Sequence, residues 1–321
     1  MLKAVGDGWQ TERLIGYEIE STLDKGADSF SFEVGTGEKG ENAGLIVPGK
    51  NVRLLDSKGR QLLIGVIDEV EEGETIKVDG RDLMAYAIDA YPDSKRWKNA
   101  MPLDILKELA GQLAFTSVDI SGVSSAQTAL KAFQVEPGDS YSNAFEKLAQ
   151  AGDFELYVDP LGNLIATNMP DRPSSPQFNF ISRIGEANCE IVLKKSTDDV
   201  YSTIKLAGRK AHPIVQTDSD ISKYVTRTLT DRDGHSGSAA ASSKKIAQMF
   251  REMKDRMRRW NVTFGGDPAK FGAVPKIGDG AMVTSYRHKI NNEATVIWRV
   301  NLSLDERSGR KNEIELRSRA L

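Results

Sequence analysis

Three histidines, one cysteine and a few clustered carboxylates are the residues of this 321-residue chain with types suited to catalysis or metal binding. His212, His235 and His288 stand in three separate contexts. None has a cysteine, histidine or carboxylate at metal-ligand spacing, so they read as surface or loop histidines. Cys189 opens an apolar stretch, residues 189–194, and reads as a small buried side chain in a strand. Asp231, Asp233 and His235 have the types of an acid–base cluster, but Asp231-Arg-Asp-Gly-His-Ser-Gly-Ser238 has the composition of a solvated turn. Asp68, Glu69, Glu71, Glu72 and Glu74 lack the spacing of a calcium loop and read as the polar end of a hairpin. Residues 234–238 precede a helical pattern but lack the Gly-Lys-Ser/Thr of a phosphate loop. The expectation is a protein with no catalytic, cofactor-binding or metal-binding residue, and hence not an enzyme. Neither reductant nor chelator is expected to change its stability.

Two short motifs carry more information. Residues 75–78 alternate apolar and polar as a half-buried strand does, Gly80-Arg81-Asp82 breaks that pattern, and Leu83, Tyr86, Ala87 and Ala90 recur at helical spacing. The three residues read as a turn from a strand into a short helix, the exit from one domain into the next. The second motif is Gly138-Asp139-Ser140, where Gly138 supplies a turn and Ser140 an N-cap.

The elements that position these motifs follow from periodicity. Residues 12–90 read as antiparallel β. Alternating runs at 14–21 and 29–34 flank a turn at 24–28, and runs at 51–56 and 61–70 flank Ser57-Lys-Gly-Arg60. Residues 35–49 are Gly-rich and read as a long loop that orders against a partner. Residues 91–180 turn helical: Pro102 opens a helix with Leu103, Leu106, Leu109, Ala110 and Leu113 on one face. A second helix over 140–151 is expected to end on Gly152, before a hairpin of 154–158 and 164–167. Residues 171–176 read as a linker. β structure returns at 189–194 and 201–208. A helix over 239–260 carries Ile246, Met249, Phe250, Met253, Met257 and Trp260 on one face and Lys244, Arg251, Lys254, Arg258 and Arg259 mostly elsewhere. Its basic residues read as a solvated face and its methionine stripe as core. Strands at 281–285, 295–303 and 312–317 close the chain.

Bulk properties narrow the function. Hydrophobic residues are 39% and charged residues 28%, as in soluble proteins with a core, and the length allows two or three domains. A formal charge of −3 leaves no broad basic footprint for nucleic acid. One cysteine forbids an intrachain disulfide and fits a reducing compartment. No apolar run approaches the roughly 20 residues of a membrane span, and the N-terminus has no signal-like apolar region. Cytoplasmic synthesis and assembly without membrane insertion is the expectation.

The strand ending in Gly80-Arg81-Asp82, with a short helix closing on an Asp near Ala90, resembles bacteriophage tail or baseplate hub proteins. This is the late control protein D type, shared with contractile injection systems. The arrangement strand, turn, longer strand, acidic turn, strand occurs near residue 50 and again from 278 to the end, which fits the two related modules the resemblance implies. It implies an α+β, mainly β fold of two related antiparallel β-barrel modules with α/β insertions. Module one would be residues 1–90 and the insertion 91–180. Module two would be 181–232 and 272–321, divided by a loop and long helix at 233–271. It also implies a trimeric ring in the virion tail or baseplate, joining the tail tube protein to the central spike protein beside other baseplate proteins. DNA or a tape-measure protein would be only a passenger in its channel. Separately, residues 133–145, with Gly138, Asp139 and Ser140, look like the opening of a LysM module, which implies peptidoglycan or chitin binding. A cell-wall-binding or wall-degrading tail component is therefore the alternative. The stretch departs from LysM where Gly152-Asp-Phe leads into a hairpin in place of a second helix.

Overall fold

The computed structural model describes residues 2–12, 14–23, 26–35, 45–124, 127–168, 176–182, 188–208, 211–231, 239–305 and 309–318. Of the described residues, 48% are in strands and 17% in helices, so the fold is α+β and mainly β, as expected. The chain divides into two compact units. The first holds residues 1–169, 264–278 and 298–313; the second holds 170–263, 279–297 and 314–321.

The first unit opens with β1 (Lys3–Gly6) and β2 (Trp9–Thr11), short strands that the alternation from residue 12 onward did not announce. β3 (Leu14–Thr22), β4 (Ser29–Gly35), β5 (Asn51–Leu55), β6 (Gln61–Glu72) and β7 (Thr75–Asp82) follow the expected pattern. They form an antiparallel sheet in the order β3-β4-β7-β6-β5-β1-β2. Their alternation decides which side is dry: Tyr17, Ile19, Phe30, Phe32, Ile76 and Val78 are buried, while Glu18, Asp79 and Lys77 are exposed. The Gly-rich stretch lies largely outside the described residues, as does the tip of the turn at 24–28.

The rest of this unit is α1 (Ala85–Asp89), β8 (Arg96–Trp97), α2 (Pro102–Ala110), β9 (Ser117–Gly122), β10 (Phe133–Gln134), α3 (Tyr141–Gly152), β11 (Glu155–Val158) and β12 (Asn163–Thr167). β11 and β12 make the expected hairpin, and β9 pairs with β12 in parallel. α2 and α3 turn Ile105, Leu106, Leu109, Ala144, Phe145 and Leu148 into one core with Leu164 and Ala166 of β12. Gly152 is the last helical residue, not the cap. Asp153 caps the helix in the left-handed conformation, φ +60°, and donates its N–H to Ala149 O. Gly152 is needed because a Cβ there would lie 2.3 Å from the Phe154 ring.

The second unit begins with β13 (Phe178–Ser182), β14 (Glu190–Lys195), β15 (Thr203–Gly208), β16 (Ala211–Thr217), α4 (Ser219–Ser222) and β17 (Thr228–Asp231). α5 (Ala239–Met257), β18 (Arg258–Gly265), β19 (Gly280–Ser285), β20 (Ile290–Asp305) and β21 (Gly309–Arg317) complete the chain. β18, β20 and β21 each contribute residues to both units. Within the first unit, Arg299–Leu304 of β20 pair antiparallel with Tyr17–Thr22 of β3. Cys189 stands half-buried at the bend before β14, outside the strand, with its Sγ 3.7 Å from Ile181 O.

α5 is shorter than the helical spacing predicts. Ile246, Phe250, Met253 and Met257 pack on Val200, Ile204, Leu206 and Ile221, so the methionine stripe is core. Trp260 is not on the helix. It belongs to β18, which pairs antiparallel with β14, Trp260 opposite Leu193. Met257 and Trp260 are three apart and so mimic a helical stripe, but Trp260, Val262 and Phe264 are buried in alternation, the strand period. Lys254 is not a solvated residue either: its Nζ lies 2.8 Å from Asp218 and 3.7 Å from Asp220.

Candidate functional site: the corner at Arg81 and Asp82

Gly80, Arg81 and Asp82 are the last three residues of β7, not a turn; the chain turns at Leu83 and Met84. Gly80 is required by packing. It faces Phe30 across the β4–β7 pair, and a Cβ on it would lie 2.3 Å from the Phe30 ring and 2.3 Å from Val66 O. Gly65 on β6 gives the same ring its second opening, since a Cβ there would lie 2.7 Å from Phe30 Cε1. An isolated glycine inside the apolar run 61–70 is the sequence signal for this close approach.

Arg81 points to the polar side. β6 carries one extra residue here: Ile67 pairs with Gly80 and Glu69 with Asp79, leaving Asp68 between them. The bulge aims Asp68 at Arg81. Arg81 Nε and Nη2 donate to the two Asp68 carboxylate oxygens at 2.7 and 2.8 Å. Nη2 and Nη1 also donate to Asp89 at 2.7 and 3.3 Å. One guanidinium therefore ties β6, β7 and the end of α1. Asp89 is an acid at a helix C-terminus, an unfavourable place that the guanidinium offsets. The hydrogen bonds Arg81 donates to Asp68, and after them those to Asp89, hold its pKa above the usual value.

Asp82 points to the dry side and is 4% exposed. Its Oδ1 accepts from Met84 N at 2.9 Å, which fixes the turn into α1, and its backbone N–H donates to Asp28 O at 3.0 Å. Asp28 is also buried, and its Oδ1 accepts from Thr22 N at 2.9 Å. Burial, and after it the nearby Asp28, push the Asp82 carboxyl well above the usual carboxylate range.

The second motif meets the same corner. Tyr141 N, at the start of α3, donates to Ala90 O just past α1 at 3.2 Å. Gly138 sits at φ +90°. Ser140 Oγ accepts from Asn143 N at 3.2 Å, an N-cap. Asp139 Oδ2 accepts from Lys147 Nζ at 2.5 Å and from Glu136 N at 3.2 Å, and the Lys147 bond holds its carboxyl below the usual range. These polar atoms are thus engaged in ending one segment and starting the next.

The acidic residues 68–74 sit at the β6–β7 hairpin end. Asp233 and His235 lie outside the described residues, and so does the side chain of His212. His288 stacks edge-on against Trp260 with ring centroids 5.6 Å apart. Among the described residues no group of three His, Cys, Asp or Glu side chains is placed to hold a metal. No helix among them is long and apolar enough to cross a membrane. The chemistry of the corner is that of a joint: two buried acids, a forked arginine and two glycines around one ring.

The fold has close counterparts. A tail protein from Neisseria meningitidis MC58 superposes with a TM-score of 0.85 at 19% identity, covering 99% of this chain and 96% of that one. The 43 kDa tail protein of prophage MuSo2 from Shewanella oneidensis gives 0.79 at 18% identity, covering 99% and 98%. The E. coli c3393 protein is described as a type VI secretion component similar to the T4 tail proteins gp27 and gp5. It gives 0.62 at 11% identity, covering 98% of this chain and 76% of that one. No family model and no curated protein matches the sequence.

Proposed function

We propose that this chain is a structural, non-enzymatic subunit of a phage-type tail or baseplate. In this reading it forms a ring that joins the tail tube to the central spike and lines the channel between them. The observation that carries the reading is the near end-to-end correspondence of its fold with tail proteins, both units included. Two units that each bury their own core also fit the role. A sixfold tube and a threefold spike are matched by three copies of a subunit with two similar β modules. Three copies present six near-equivalent modules upward and three identical faces downward. Residues 1–90 are then the first tube-facing module, 91–180 its insertion, and 181–232 with 272–321 the second, interrupted at 233–271. Its partners are further copies of itself, the tube protein, the spike protein and other baseplate proteins, and DNA or a tape-measure protein passes without being bound. Its place is the virion tail, after assembly in the host cytoplasm. The glycan-binding alternative gains no support: Ser140 caps α3, and Asp139 is held by Lys147 and Glu136 N.

Electron microscopy of the intact tail tests this. Three copies around the channel, with both β modules at its wall, are expected. Six copies, or only one module at the wall, refute the ring.

A further inference from the structure

Charge is divided unequally between the two units. The first holds 22 Lys and Arg against 32 Asp and Glu, a formal −10; the second holds 21 against 14, a formal +7. The chain's overall −3 conceals this. In the first unit Glu69, Glu71 and Glu72 of β6 are exposed, and among the described residues their one ion pair is a 3.9 Å contact from Lys77 to Glu71. In the second unit Lys194 and Lys195 of β14 are exposed and stand opposite Arg259 and Arg258 of β18. The arginines are paired, Arg258 with Glu293 at 2.6 Å and Arg259 with Glu315 at 3.8 Å. Among the described residues neither lysine makes an ion pair.

We infer that copies of this chain associate head-to-tail, with the acidic first unit of one copy against the basic second unit of the next, through the β6 glutamates and the β14 lysines. This rests on the ring reading and adds to it the force that selects the contact. Opposite charges steer the two units together, whereas a unit meeting its own kind places −10 against −10 or +7 against +7. A contact between two different surfaces, repeated, closes into a ring when its rotation allows.

Sedimentation of the full chain over a concentration series tests the inference. Raising NaCl from about 0.1 M to about 1 M shortens the screening length from about 10 Å to about 3 Å, and self-association should weaken at least about tenfold. The pair Lys194→Glu and Lys195→Glu should weaken it about as much at low salt. Adding Glu69→Lys and Glu71→Lys to the same chain should restore it to within about threefold, since the swapped charges again attract. All four positions are exposed, so unchanged melting midpoints are expected and checked. Three results overturn the inference: association indifferent to salt and to the reversals, a closed dimer that never grows, or a swap that fails to rescue. Absence of association at either salt overturns it too. Each of these leaves the ring to be judged by microscopy of the particle; a particle without a ring removes the reading beneath it.

Discussion

Phe30 lies opposite Gly80, and its ring fills the place where any side chain at residue 80 would begin. The separation of 2.3 Å from that ring to an added Cβ leaves no room without movement of β4 or β7. Gly80→Ala should therefore cost about 1–3 kcal/mol, the usual range for overpacking. Adding Phe30→Leu should recover part of that cost, so the two changes couple. Chemical denaturation of the four-member cycle measures this, and strict additivity would refute the contact.

Asp82 gives a pH dependence of defined sign. Its folded pKa is raised, so the buried neutral acid contributes stability that is fully present below the unfolded value near 3.8 and is lost as pH rises through the folded value. Asp28 beside it strengthens the effect and Arg81 opposes it. Asp82→Asn keeps an acceptor for Met84 N and has no proton to lose. The difference in unfolding free energy, variant minus wild type, should rise from pH 4 toward pH 8. Parallel profiles for the two proteins would contradict a buried neutral Asp82.

Arg81→Lys keeps the charge but loses the fork. The site is about a third exposed, so the loss should be roughly 0.5–1 kcal/mol. The more telling measurement is amide exchange: Ala87 and Ile88 of α1 should exchange faster once Asp89 is released. Unchanged protection there would mean that the guanidinium does not hold the helix.

Met253→Asp should cost about 3–5 kcal/mol, because it places an unpaired carboxylate among Val200, Ile204 and Phe250. Arg256→Ala, exposed three residues on, should stay within about 0.5 kcal/mol. Lys254→Asp belongs with the damaging changes, since it turns a pair with Asp218 and Asp220 into a cluster of like charges. Equal melting midpoints for Met253→Asp and Arg256→Ala would show that α5 is not packed through Met253.

Local order was legible wherever a single period governed a segment. Alternation over 14–21 and 29–34 located β3 and β4, the hairpin signal before the apolar run 61–70 located β6, and the spacing of Leu106, Leu109, Phe145 and Leu148 located α2 and α3. Ser140 announced its own cap, because a cap is made within three residues. Where two periods overlapped, at Met257 and Trp260, sequence alone extended the helix, and pairing with β14 decided for a strand. The Gly80-Arg81-Asp82 motif was found by its residue types but its roles were not legible. Gly80 answers to a ring fifty residues away, Arg81 to a bulge on β6, and Asp82 to the burial of Asp28. β9 and β13 were not read from the sequence; each is short and is completed by parallel pairing with a strand far along the chain, β12 and β19. Composition settled the total charge, but only the division of the chain into two units, set by which strands pair across long sequence distances, decided that −10 and +7 belong to different units.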